Sequence, residues 1–207
     1  MRVLFVLLAA ALSASAGGFD GLWRFVHPDA QVLCGIEWSQ VQKSELATML
    51  KAQFQGGKSE LKGMDFVKEL DRALISSPGK AESPGVNKTT DAPLLLVLSG
   101  KFDWPALRKH STIKRYKTVE WLVPADARDE MQIGVINPEL VVVGDRKSLQ
   151  EAIDRSLDPK YKAQGTLYDS ALALSSSRAL WITMKSPAAL TKSSGMMAAF
   201  ANDIREV

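Results

Sequence analysis

With one cysteine and two histidines in 207 residues, the chain has little material for several kinds of chemistry. The lone thiol, Cys34, cannot close an internal disulfide. It lies in the apolar run Val32-Leu33-Cys34-Gly35-Ile36 with no flanking His or basic residue. It is therefore expected as a small buried hydrophobe rather than a catalytic thiol. His27 and His110 are equally isolated: the sequence contains no H-E-x-x-H, C-x-x-C or G-x-S-x-G. A zinc site or a His-based triad would lack its partners, so both histidines are expected at the surface or at a cap, and no metal or cofactor is expected. Charge of one sign is also scarce. Lys+Arg 26 against Asp+Glu 23 gives +3, too weak a balance for a dedicated nucleic-acid binder. Long apolar runs are missing too, since nothing beyond the first residues approaches the ~20 needed to span a bilayer.

What is present is ordinary for a folded chain: 46% hydrophobic and 24% charged residues, with Gly 14 and Pro 9. That excludes a wholly disordered, collagen-like or disulfide-framed chain. The apolar residues are unevenly spread. Met1-Arg2 precedes an unbroken run from Val3 to Leu12, then Ser13-Ala14-Ser15-Ala16. A positive start, a short apolar stretch and an Ala-x-Ala end are the three parts of a secretory signal peptide. Residues 1–16 are read as that peptide, and 17–207 as a single exported α+β domain, periplasmic or extracellular. Cleavage after Ala16 removes one cation, Arg2, and takes the net charge from +3 to +2.

Along the mature chain, Phe19 to Val26 suggests one or two helical turns, and His27-Pro28-Asp29-Ala30 a turn. Gln31 to Trp38 reads as a strand. Ser39-x-x-Gln42 has capping-box spacing ahead of a helix to about Phe54. A second helix is expected over 59–75, from Leu61, Met64, Val67, Leu70 and Leu74. Residues 76–92, rich in Pro, Gly and polar side chains, read as a long mobile loop. Pro93 to Leu98 is continuously apolar, the mark of a central strand covered on both faces. Asp103-Trp104-Pro105 starts a short helix, and Tyr116 to Val123 is the next strand. Met131–Ile136 and Leu140–Val143 form a hairpin about Asn137-Pro138-Glu139. Asp145 caps a helix over 146–157; a short helix over 167–174, a strand over 179–184 and a last helix from Ser186-Pro187 follow. The expected class is α+β, a mostly antiparallel sheet with helices packed on one face in a ferredoxin-like arrangement.

Three motifs come near a catalytic pattern. Ala52 to Ser59 nearly fits a phosphate-binding loop, but Ala52 replaces the first Gly and the stretch leaves a helix rather than a strand. S-x-x-K occurs at Ser59…Lys62, Ser77…Lys80 and Ser111…Lys114, the spacing that sets a Lys one helical turn from a Ser nucleophile. No S-D-N or K-T-G accompanies it, and of the three only Ser59 is expected on a helix. Asp126, Asp129 and Glu130 cluster without the D-x-[DN]-x-[DN]-G order of a calcium loop and read as a solvated turn.

The clearest local bias runs from Lys101 to Lys117. It holds Lys101, Arg108, Lys109, Lys114, Arg115 and Lys117 against Asp103 alone, with Trp104 and Tyr116 interleaved. Such a stretch suits an anionic macromolecule or an acidic envelope protein. It equally suits a solvated helix and an edge strand on which Lys discourages pairing.

His27-Pro28-Asp29-Ala30, the run Leu94 to Asp103, Tyr116-Lys117-Thr118-Val119 and Leu140 to Asp145 together resemble a group of uncharacterised exported bacterial proteins built from ferredoxin-like α+β units, a domain of unknown function. The resemblance spans most of residues 19–207 and implies no catalytic residues. The expectation is an exported, non-catalytic domain that binds a macromolecule or supports an envelope structure. An exported hydrolase with a Ser/Lys or carboxylate site, and a carrier of a small apolar ligand, are the alternatives.

Overall fold

The structure is a computed structural model and describes residues 18–44, 48, 67–79, 93–125 and 131–185. Its framework is one eight-stranded sheet in the order β4-β5-β6-β7-β3-β2-β1-β8. The strands are β1 (Val32–Glu37), β2 (Val67–Ser77), β3 (Leu95–Phe102), β4 (Ser111–Tyr116), β5 (Val119–Pro124), β6 (Gln132–Asn137), β7 (Leu140–Gly144) and β8 (Leu180–Met184). Every neighbouring pair is antiparallel. The class is α+β, as the sequence suggests.

Apolar run Leu95–Leu98 forms the first half of β3, which lies beside β7 at the middle of the sheet. Its side chains alternate between two cores. Leu96 and Leu98 join Cys34, Ile36, Ile75, Val141 and Val143 on the first face. Leu95 and Val97 join Leu33, Leu74, Val142 and Trp181 on the second. Both faces are therefore buried, and both need cover. The second is covered by the single 3-10 turn Trp23–Phe25, by α3 (Arg146–Leu157) and by α4 (Thr166–Ser175), through Leu149, Ile153, Leu167 and Ala171. The first receives Trp38 and Val41 of α1 (Trp38–Val41) and Leu107 of α2 (Trp104–Lys109). Helices thus sit on both faces, which corrects the one-face expectation. A sheet whose central strands are apolar on both sides cannot leave one side to water.

Capping follows the sequence closely in α2 and α3. Asp103 Oδ1 accepts from the Ala106 amide at 3.1 Å, with Pro105 in the first turn. Asp145 Oδ1 accepts from the Lys147 and Ser148 amides, both at 3.0 Å, and opens α3. The Asn137-Pro138-Glu139 hairpin joins β6 to β7, with Asn137 Oδ1 accepting from the Glu139 amide at 2.8 Å. By contrast, α1 begins one residue before Ser39, with Glu37 as its N-cap; Ser39 Oγ donates to Glu37 Oε1 instead of capping.

One further expectation is overturned and another is trimmed. Residues 67–75, read as helix, lie in β2. The register of β2 on β3 slips between Val67 and Glu69 and again between Leu70 and Arg72. Each slip inserts one extra residue, so the residues facing the first core fall at 67, 70, 73 and 75. Two bulges turn a period of two into steps of three, which imitate a helix. Gly100, at φ +154°, faces the second bulge, where a Cβ would strike the Glu69 carbonyl oxygen. Most of the strand expected over 116–123 is found, as β5 from Val119, but Lys117 at φ 54° and Thr118 form a hairpin turn that joins it to β4.

The loop expected over 76–92 starts later, because Ser76 and Ser77 are the last residues of β2 and are buried. Residues 1–17, most of the helix to Phe54, the stretches 52–66 and 80–92, the acidic turn 126–130 and the helix from Ser186 lie outside the described residues, Ser59 and Lys62 among them. Among the described residues, no helix is long and apolar enough to cross a membrane.

Candidate functional site

The six cations of the basic stretch are spread over four elements. Lys101 lies near the end of central strand β3, Arg108 and Lys109 close α2, Lys114 and Arg115 lie on edge strand β4, and Lys117 is in the β4–β5 turn. All six are exposed. Three are matched by carboxylates. Lys101 Nζ lies 2.6 Å from Glu69, which raises its pKa. Arg108 reaches Glu120 at 2.9 Å and lies 5.7 Å from the Trp104 ring centroid. Lys117 Nζ sits 2.6 Å from Asp154, again with its pKa raised by that carboxylate. The Tyr116 hydroxyl donates to the same Asp154 at 3.1 Å, tying the hairpin tip to α3. Exposed pairs of this kind contribute little to stability.

Lys109, Lys114 and Arg115 have no ion pair among the described residues. Lys114 and Arg115 lie on opposite faces of β4, Arg115 on that of Ile113, and among the described residues β4 pairs only with β5 and forms an outer edge of the sheet. The register puts Ile113 opposite Leu122, Lys114 opposite Trp121 and Arg115 opposite Glu120. Ile113 is 54% exposed although its partner Leu122 is buried. Among the described residues, β4 therefore offers an unpaired strand edge, an exposed aliphatic side chain and uncompensated positive charge.

A second grouping escaped the sequence. His27, expected at the surface or at a cap, is 5% exposed and spans three segments. Its amide donates to Ser76 Oγ at 2.9 Å, its Nδ1 lies 3.0 Å from the same oxygen, and its Nε2 lies 3.2 Å from Ser148 Oγ. Each ring nitrogen thus faces a serine hydroxyl, and in either tautomer one nitrogen donates and the other accepts. Burial, followed by the nearby Arg155, lowers the His27 pKa to about 4; Asp29 and Asp145 pull weakly the other way. The ring is neutral at pH 7 and joins the 27–30 turn to the end of β2 and the start of α3. His110 is the exposed C-cap of α2, as expected.

Other candidates are placed as follows. Cys34 is buried in the first core, and desolvation raises its thiol pKa to about 12, which leaves it without thiolate at neutral pH. Ser77 is buried and its Oγ accepts from the Gly79 amide. Ser111 starts β4, so Lys114 does not stand one helical turn above it. No group of three or more metal-ligating side chains occurs among the described residues.

The sheet order and its two covered faces define an α+β protein with one extended antiparallel sheet. No family model matches the chain, and no curated protein matches it. Two solved chains do match, one of them titled "Structure of crystal form I of TP0453". That alignment has a TM-score of 0.47 and 9% identity and covers 79% of this chain. It takes in 61% of that chain, so the present sequence accounts for less than two thirds of its length.

Proposed function

We propose that the protein is an exported, non-catalytic binding module that takes an extended acidic segment of a partner protein along the free edge of β4. One observation carries this reading: Lys114 and Arg115 have no ion pair among the described residues, and they follow exposed Ile113 on a strand edge that is unpaired among the same residues. An added strand would be held by main-chain hydrogen bonds, with charge and the Ile113 contact choosing the sequence. The bridging geometry of His27 and the buried Cys34 favour binding over catalysis. Export rests on the composition of residues 1–16. A ferredoxin-like arrangement stands on the same footing; the β6–β7 hairpin with helices on either side in the chain is what supports it.

The test uses three peptides of alternating Val and a second residue: Glu, Lys or Ser. The Val-Glu peptide is expected to bind, to weaken as salt rises, and to slow amide exchange at 111–116. Lys114→Glu with Arg115→Glu is expected to abolish binding. Equal binding of all three peptides, or unchanged exchange on β4, would show that the lysines only guard the edge. Fusing residues 1–20 to a phosphatase that is active only outside the cytoplasm tests export separately.

A further inference from the structure

At the other end of the sheet, near β1 and β8, lies an open cavity of about 350 Å³. Its floor is apolar, with Val26, Ala30, Leu33 and Leu167. Its polar groups are biased towards donors: Lys162, Lys185, Tyr161 and the residues that open α4 all line it, and no Asp or Glu does.

Three independent features point to one kind of occupant. The Tyr161 hydroxyl is buried and has no hydrogen-bond partner among the described residues. Beneath the same ring, 5.9 Å from its centroid, is the Arg155 guanidinium. Its Nη2 donates to the Phe25 carbonyl, while its Nε is buried without a partner among the described residues. Finally, α4 starts at Gly165, φ +116°, with no side chain on its first amides, and Gly165, Thr166, Leu167 and Tyr168 all line the cavity. Asp169 stands in the first turn of α4 but not in the lining. A cavity of this size suits a small molecule. Lysines, an orphan hydroxyl and open helix amides call for negative charge, and the apolar floor calls for a hydrocarbon body.

We propose that this cavity binds a small organic anion, an acidic head group held near Lys162, Lys185 and the start of α4, with its apolar body against Val26, Leu33 and Leu167. The site is separate from the β4 edge, and neither reading depends on the other.

The experiment titrates the full chain with octanoate, 1-octanol, octylammonium and inorganic phosphate, following tyrosine and tryptophan fluorescence and amide shifts. Octanoate is expected to bind saturably and roughly tenfold or more tighter than octanol and octylammonium, about the worth of one charge-assisted hydrogen bond. Phosphate alone is expected to bind weakly, having no body. Lys162→Ala with Lys185→Ala changes two exposed side chains; it is expected to weaken octanoate to the level of octanol and leave octanol unchanged. Tyr161→Phe, which removes only the orphan hydroxyl, is expected to weaken octanoate as well. No saturable octanoate binding would overturn the proposal. So would octanol binding as tightly as octanoate, or phosphate matching octanoate. Retention of octanoate affinity in the double lysine variant would overturn the placing of the head group.

Discussion

Acidification from pH 7 to pH 4.5 is expected to remove about 2 kcal/mol of stability through His27 alone. The ordinary imidazole pKa is 6.5, and in the folded chain it falls to about 4. Between those values the unfolded chain binds a proton that the folded chain does not. Stability therefore rises with pH across this window and is lost as pH falls from about 6.5 towards 4. A difference of 2.5 pKa units corresponds to about 3 kcal/mol in full, and roughly 2.5 kcal/mol of it is spent by pH 4.5. The cause is structural: a protonated ring would place a charge among Ser76, Ser148 and the Arg155 guanidinium, with Asp29 and Asp145 only partly offsetting it.

Carboxylates also titrate below pH 5, so wild type alone would not isolate the effect. His27→Gln supplies the reference, because it keeps an amide in the bracket and does not titrate. Urea unfolding of both proteins at several pH values gives the difference directly. At pH 7 wild type is expected to be more stable by about 1–3 kcal/mol, the cost of leaving Ser76 and Ser148 imperfectly paired. That gap is expected to shrink by about 2 kcal/mol by pH 4.5. A gap that stays constant with pH would refute the buried, neutral placement of His27.

Gly35→Ala is expected to destabilise by roughly 1–3 kcal/mol and to alter the near-UV circular dichroism. The Trp181 indole packs against Gly35, and an added Cβ would collide with its ring carbons. Trp181 is itself packed against Phe19 and Trp23. An unchanged urea midpoint would contradict that contact. Cys34 is expected to ignore a thiol-reactive disulfide reagent in the folded state and to react fully in denaturant, since it is buried with its pKa raised to about 12. Prompt native labelling would show that the first core opens.

Where local chemistry settles an element, the sequence was readable. Asp145, Leu149 and Ile153 supply a cap and one apolar stripe, and they mark α3 without help from anything distant. Asn137-Pro138-Glu139 marks its hairpin in the same way. The misses have a different cause. In β2 the two bulges are demanded by pairing with β3, and the bulged pattern Val67, Leu70, Ala73 copies helical spacing. In β4 the run Thr112 to Arg115 is exposed on both faces, so no alternation advertises a strand. Only the partner β5, with buried Trp121 and Leu122, reveals it. The basic stretch was legible because charge density is a property of contiguous sequence. The cavity was not, because His27, Tyr161 and Lys185 come from distant parts of the chain.

His27 shows why proximity does not define a site. Its partners Ser76 and Ser148 lie 49 and 121 positions away, so no spacing rule would have joined them. Once they are joined, a serine oxygen 3.2 Å from an imidazole nitrogen invites reading as a nucleophile and its base. The surroundings oppose this. Both ring nitrogens are taken up in bridging Ser76 and Ser148, whichever tautomer the ring adopts. Among the described residues no carboxylate hydrogen-bonds to the ring to fix its tautomer, as a triad requires. Both serines are buried, Ser76 fully and Ser148 at 5% exposure, so a substrate carbonyl has no approach to either. The same contacts that resemble a dyad instead hold β2, α3 and the 27–30 turn together, and the low pKa is the consequence of that role.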